Sequence, residues 1–346
     1  MRTSWPSILL VLAAGLTTAC ADGSWSRQEV CAVEISEHDP IPDETGRVVR
    51  HGPIITGDML PGRAGRNING PSLIRVPDWV PDPLGRYYLY FSSHRNRRYI
   101  RLAYADSLSG PWRIHGRGVL HRDRISPFVR GVSSPEILVD DENREIRMYF
   151  NLYVRRNGID GSRPGTYAAT SRDGLDFDVV SDRLGPTYSR VLRHGDWYYL
   201  FLGANGQWVS RSVDGISRPQ AGPRVLPGKR GRTDPYSRHL ALQRRGEELR
   251  VFYTRKRDAP ERILMGTIDL TEPWRDWRVT GQKEILRPQM PYEGAELPVE
   301  PSRFGPAKLG GENALRDPAI FEEDGRTWLL YVFAGECGIA LAELLF

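Results

Sequence analysis

One pattern occurs five times along this chain and constrains its fold more than any other feature. Each copy has a short apolar strand, a polar turn, an aromatic strand, a loop, and a third strand ending near a Gly or Asp turn. The first copy runs Pro71-Ser72-Leu73-Ile74-Arg75-Val76, then 87–91, then 100–105, with Gly110-Pro111-Trp112 after it. The second has Pro135-Glu136-Ile137-Leu138-Val139, 146–150 and 167–171, closed by Asp173-Gly174. The third has 189–192, 197–202 and 208–212, closed by Asp214-Gly215. The fourth has 239–242, 249–253 and 263–268, followed by Glu272-Pro273-Trp274, and the fifth has 318–321, 328–333 and 338–344. The middle strands alternate aromatic and aliphatic residues at period two, a strand signature. This predicts an all-β fold, a five-bladed β-propeller. The 35 Gly, 26 Pro and 10% aromatic content fit a strand-and-turn chain.

The fifth copy stops after three strands, and an unpaired edge is a liability. An N-terminal strand is therefore expected to complete the last blade, and the alternating residues 30–35 are the candidate. Cys31 would then meet Cys337. A bond across so long a loop would contribute about 4–5 kcal/mol in the chain-entropy model. Two unrelated buried thiols are the alternative. Residues 281–315, rich in Pro, Glu and Gly, read as a long insertion before blade five, where function often resides.

Residues 1–21 are not fold. Arg2 precedes an apolar run over 8–16 and then Thr17-Thr18-Ala19-Cys20-Ala21. This reads as a secretory signal. It is cleaved either at an A-x-A site or at a lipobox that leaves Cys20 lipidated, with Thr17 departing from the usual aliphatic residue. The division expected is a lipoprotein-like signal peptide at 1–21, an N-terminal segment with the closing strand at 22–66, and the propeller at 67–346. The mature chain would be exported (periplasmic, outer-membrane-anchored or extracellular), in an oxidising compartment. Membrane contact would come only through the lipid anchor, and a monomer is expected.

The net charge is +5, and all but four of the 48 basic residues are Arg. Guanidinium forks suit carboxylate and sulfate; a GC-rich genome would give the same bias. The charges are scattered, without a basic helix or an aromatic-interleaved run, so nucleic acid is not expected as a partner.

In a propeller the starts of inner strands and the ends of second strands share one face. That face collects Asn69, Glu136, Tyr188, Arg238, His239, Arg316 and Asp317 from the first set, and His94, Asp258 and Glu336 from the second. Glu300 lies in the insertion and would fold over the same mouth. Carboxylates, arginines and histidines gathered in one funnel are costly as structure alone. No metal-ligand spacing occurs, so no cofactor is expected, although a structural Ca²⁺ on carboxylates stays open.

The blade rhythm, Arg316-Asp317-Pro318 and Gly110-Pro111-Trp112 resemble the glycosidase five-bladed propeller superfamily (glycoside hydrolase families 43, 32, 68 and 117). Secreted bacterial glycosidase-like propellers of undefined substrate are the closest in kind. The resemblance implies a propeller that cleaves glycosidic bonds with carboxylates on successive blades. The usual register is incomplete here. Gly70-Pro71 stands where an acid would precede Pro, and Tyr188-Ser189-Arg190 offers none. Because the ring is cyclic, blade five can serve as the first functional blade. Asp317 then takes the base or nucleophile position, and Glu136 the acid position. Arg316, Arg238, His239, Asn69, His94, Tyr188, Glu336, Asp258 and Glu300 are the candidate substrate-binding residues. The expected partner is an oligo- or polysaccharide, with a uronate-bearing or sulfated glycan in view. A catalytically silent carbohydrate-binding lipoprotein on the same fold is the alternative.

Overall fold

The computed structural model describes residue 33 and residues 39–154, 164–203, 207–228, 231 and 234–346. The chain begins with β1 (Ile41–Pro42) and β2 (Val48–Ile55). Blade one follows as β3 (Asn69–Arg75), β4 (Tyr87–Ser92), β5 (Tyr99–Ala105) and β6 (Arg113–His121). Blade two is β7 (Val129–Asp140), β8 (Glu145–Val154), β9 (Gly165–Ser171) and β10 (Asp178–Val179). Blade three is β11 (Ser189–His194), β12 (Trp197–Leu202), β13 (Trp208–Ser212) and β14 (Gln220–Arg224). Blade four is β15 (Tyr236–Arg245), β16 (Glu248–Lys256), β17 (Ile263–Asp269) and β18 (Thr280–Leu286). Blade five adds β19 (Arg316–Glu323), β20 (Arg326–Phe333) and β21 (Gly338–Leu344). Every blade is an antiparallel meander. The innermost strands touch in the order β3, β7, β11, β15, β19 and back to β3, so the ring closes with five blades.

Period-two patterning explains the packing. In β4, Tyr87, Leu89 and Phe91 meet Trp328, Leu330 and Val332 of blade five. The alternate residues Tyr88 and Tyr90 meet Ile146, Met148 and Phe150 of blade two. A middle strand is thus buried on both faces, and each such side chain contributes about 1.5–3 kcal/mol. The Asp-Gly turns serve the same joints. Gly174 has φ +75°, and a Cβ there would stand 2.6 Å from Tyr90 Oη of the preceding blade. That hydroxyl donates to the Gly174 carbonyl at 2.9 Å. Gly215 repeats the arrangement against Tyr149 of blade two, with φ +76° and a Cβ distance of 2.5 Å. Glycine is needed at both for conformation and for space.

Closure comes from the N-terminal side, as expected, but by another strand. β21 pairs with β20 on one edge and with β2 on the other. The place reserved for residues 30–35 is therefore filled by Val48–Ile55. The alternation of β2 is broken by Arg50, Gly52 and Pro53, where its register shifts twice. Arg50 turns inward: its Nε donates to Glu293 Oε1 at 2.9 Å and its Nη2 to Gln289 Oε1 at 2.9 Å. The insertion is also shorter than expected. Residues 281–286 belong to β18, the outer strand of blade four, and 287–315 form the crossing segment. Cys337 is buried just before β21; Cys20 and Cys31 lie outside the described residues.

Candidate active site at the axial mouth

Inner strands begin with the same irregularity. Register shifts fall between Asn69 and Ser72, Ser133 and Glu136, Ser237 and Leu240, and Arg316 and Ala319. Inside these kinks, and just before β11, the backbone turns left-handed: φ is 61° at Gly70, 53° at Ser134, 69° at Tyr188 and 46° at Asp317. Blade four carries Arg238-His239 at that place. Gly70, Ser134 and Asp317 each precede Pro, which disfavours the right-handed region. A left-handed non-glycine costs about 1–3 kcal/mol, and such strain gathers at functional sites.

These positions meet around the axis. Asp317 is 1% exposed. Its Oδ2 accepts from the Gly70 amide at 3.1 Å, and its Oδ1 contacts His239 Nδ1. Burial, reinforced by His94 and Arg238, holds His239 well below the ordinary histidine range, so its imidazole is neutral at pH 7. With Asp317 accepting from Nδ1, Nε2 is an acceptor, and it has no hydrogen-bond partner among the described residues. Tyr188 lies against this imidazole, ring centroids 3.8 Å apart. Its Oη stands 3.4 Å from His94 Nε2. Burial raises the phenol above its usual range and keeps it protonated.

His94 Nδ1 lies 2.6 Å from Glu336 Oε1. Glu336 also accepts from the Ala307 amide at 3.0 Å and from the Asn67 side chain. Burial alone would raise this carboxyl; His94 and Arg316 outweigh it and bring it down to about 2. Its contribution to stability is full above the unfolded value of 4.5 and is lost as pH falls toward 2. That shift corresponds to about 3 kcal/mol. Urea unfolding of Glu336→Gln should therefore lack about that much of the acid loss shown by the native chain; parallel profiles would refute the pairing.

Beside this pair sits a buried three-residue cluster. Glu261 accepts from Arg238 Nε at 2.7 Å, Arg316 Nε at 3.1 Å and Thr254 Oγ1 at 2.8 Å. Arg316 also pairs with Glu312. Burial pushes the Glu261 carboxyl up, yet Arg238 and Arg316 hold it below its ordinary value.

Glu136 sits two residues beyond the kink of β7, and Arg190 Nε pairs with it at 3.3 Å. Ser72 Oγ donates weakly to it at 3.5 Å. Burial raises its carboxyl despite Arg190. Arg190 Nη2 reaches on to the Pro318 carbonyl at 3.5 Å, so one guanidinium bridges blades two and five.

The mouth is narrow. Gly70, Ser134, Tyr188, Arg190 and His239 line a cavity of about 10 Å³, room for roughly one water. The crossing segment covers part of it through backbone atoms. Arg238 Nη2 donates to the Arg303 carbonyl at 2.6 Å, and Arg95 Nη2 to the Ala307 carbonyl at 2.7 Å.

Eight of the expected residues are thus drawn into one network: Asp317, His239, Tyr188, His94, Glu336, Arg316, Arg238 and Asn69. Asn69 joins through Asn67, Nδ2 to Oδ1 at 3.2 Å. Both arginines face Glu261 as placed. Asp258 is occupied by Arg255 at 3.0 Å, and Glu300 is exposed and paired with Lys308. Asn67 is a central residue that the strand-start rule missed, because it begins no inner strand; Glu261, which follows the second strand of blade four, is open to the same reading as Asp258. Among the described residues, no three His, Cys, Asp or Glu side chains group as metal ligands.

The fold defines a class, the five-bladed β-propeller, and solved structures similar to it include glycosidases. A glycosyl hydrolase from Bacteroides ovatus matches with TM-score 0.59 at 11% identity, covering 80% of this chain and 84% of that one. A GH43_1 enzyme from Xanthomonas citri matches with TM-score 0.56 at 14% identity, over 84% and 91%. A putative glycosidase from Bacteroides thetaiotaomicron matches with TM-score 0.59 at 12% identity, over 92% and 97%. At these identities the likeness is one of fold. No family model matches the sequence. The chain belongs to the family of uncharacterized protein R118 of Acanthamoeba polyphaga mimivirus, 35% identical over 304 residues, 80% of this chain and 83% of that protein.

Proposed function

We propose that this protein is a carbohydrate-active propeller that hydrolyses a glycosidic bond at the axial mouth. Asp317 acts as base or nucleophile and Glu136 as acid. The observation that carries this reading is Asp317 itself: a carboxylate buried at the axis on left-handed backbone, with an imidazole against it. The choice of acid follows from proton affinity. Glu336 and Glu261 are held low and stay ionised at neutral pH, so neither can donate a proton. Glu136 is pushed up, as an acid must be. His239, His94, Tyr188 and Asn69 face the substrate, and a sugar ring enters when Tyr188 swings off His239. That the proteins of similar fold include a glycosyl hydrolase supports the substrate class.

The silent carbohydrate-binding reading draws on the Glu136–Arg190 pair and the water-sized cavity. Incubation with aryl glycosides and with plant, algal and bacterial polysaccharides separates the two. Released sugar is expected; binding without release on every member would leave the silent reading in its place.

Export and a Cys31–Cys337 bond belong to the same proposal, with Cys20 as anchor when the lipobox is used. The buried position of Cys337 is compatible with a bond. Thiol titration of the unfolded, non-reduced mature chain lacking Cys20 should find none; two would refute the bond.

A further inference from the structure

We propose that the arginine-lined hollow beside the mouth binds the sulfate or carboxylate groups of an anionic glycan. This rests on the reading of the axial mouth as a carbohydrate site and names the class of sugar chain it would take. The hollow has a volume of about 490 Å³ and opens from His94. Its charged walls are Arg95, Arg97, Arg98, Arg122 and Arg130, with no carboxylate in the lining among the described residues.

Several arginines elsewhere on the surface find acids: Arg75 and Arg86 share Glu323, Arg193 pairs with Glu142, and Arg326 pairs with Glu343; others, such as Arg172 and Arg183, donate to carbonyls. In the hollow, only Arg122 has a carboxylate, the neighbouring Asp123 at 3.1 Å. Arg95 donates to a carbonyl, and Arg97, Arg98 and Arg130 have no acidic partner among the described residues. A GC-rich genome explains many arginines but not five of them around one hollow. Like charges at close range repel, and a counter-anion removes that cost.

The hollow is also built. The Arg97 guanidinium lies 4.2 Å over the Tyr153 ring. Its stem rests on Gly131, where a Cβ would stand 2.5 Å from Arg97 Cβ. A guanidinium held against a ring in this way suits a planar or tetrahedral oxyanion. Among the described residues no Phe, Tyr or Trp lines the hollow, so it lacks the broad stacking platform that single-stranded nucleic acid favours. Its inner end is His94, which adjoins Tyr188 and His239. One polymer can thus set a sugar at the axis and its anionic groups on the arginines.

The test is direct binding by the mature protein, independent of turnover. Dextran sulfate, polygalacturonate and neutral dextran are titrated at two salt concentrations, with duplex DNA and anionic lipid vesicles as counter-probes. Binding of dextran sulfate or polygalacturonate in preference to dextran is expected, and the stronger of the two names the anionic group. The doubly exposed variant Arg98→Ala/Arg130→Ala should bind it roughly tenfold more weakly and with a shallower salt dependence. Adding Arg97→Ala should weaken it further. Equal binding by native and double-variant protein overturns the proposal, as does DNA or vesicle binding as tight as that of the glycan. Arginine-dependent binding without hydrolysis would sink the catalytic reading alone. Hydrolysis of neutral glycans, unchanged in the double variant, would sink this one alone.

Discussion

Glu261→Ala should lower stability by about 3–5 kcal/mol, the loss typical when one partner of a buried ion pair is removed. The reason is the geometry of the mouth. Glu261 is fully buried and is the shared acceptor for Arg238 on blade four and Arg316 on blade five. Arg316 keeps Glu312 when Glu261 is gone; Arg238 keeps only the Arg303 carbonyl. Two guanidiniums would then share a dry space with Glu312 and with Glu336, which lies 3.9 Å from Arg316 and is already paired with His94. Lys256 sharpens the effect. Burial first, then the charge of Arg238, already brings this amine down to about 7. Without Glu261 it would face Arg238 and Arg316 unopposed. Glu261→Gln keeps the shape and should cost less than Ala. The measurement is the urea midpoint at constant m-value. A loss below about 1 kcal/mol for Ala would show that the cluster does not bind blades four and five together.

How much of this was legible in the residues differs between scaffold and site. The five middle strands declare themselves because most of their side chains are buried on both faces, so aromatic and aliphatic residues fill them, interrupted only by Arg147 and Arg250. Asp173-Gly174 and Asp214-Gly215 mark blade joints for a local reason: a positive φ and no room for a side chain. The closing strand does not declare itself. Arg50 in β2 is buried through a pairing with Glu293, 243 positions away in the chain, and a lone strand cannot announce such a partner. The same holds for the site. Asp317-Pro318 was readable because Pro constrains the residue before it. Asn67 was not, since it reaches the mouth from a loop and takes its place only through tertiary partners. Glu300 was expected over the mouth because it lies in the crossing segment. The covering is instead made by backbone groups of residues 303 and 307, which no side-chain pattern encodes.

Asp317→Asn is expected to reduce turnover by about a thousandfold or more on the substrate that the panel identifies, within the range for removing a positioned acid–base or nucleophilic group. The fold should survive. An amide oxygen can still accept from the Gly70 amide, and Asn tolerates the left-handed conformation nearly as well as Asp. What changes is charge and the proton on His239. The amide NH₂ would face Nδ1, which must then become the acceptor, moving the imidazole proton to Nε2. The mouth thereby loses its anionic oxygen and presents a donor where an acceptor stood. His239→Ala separates these roles. If His239 only positions the carboxylate, its loss should cost roughly ten- to a hundredfold in kcat with a displaced acid limb in the pH profile, because Asp317 remains to do the chemistry. Urea midpoints establish that both variants are folded. Turnover by folded Asp317→Asn within tenfold of the native chain would remove Asp317 from the mechanism. The five-blade ring would then still bring Glu136 and its bridging arginine to the axis, and the role of activating water would fall to one of the ionised carboxylates beside it, Glu336 or Glu261.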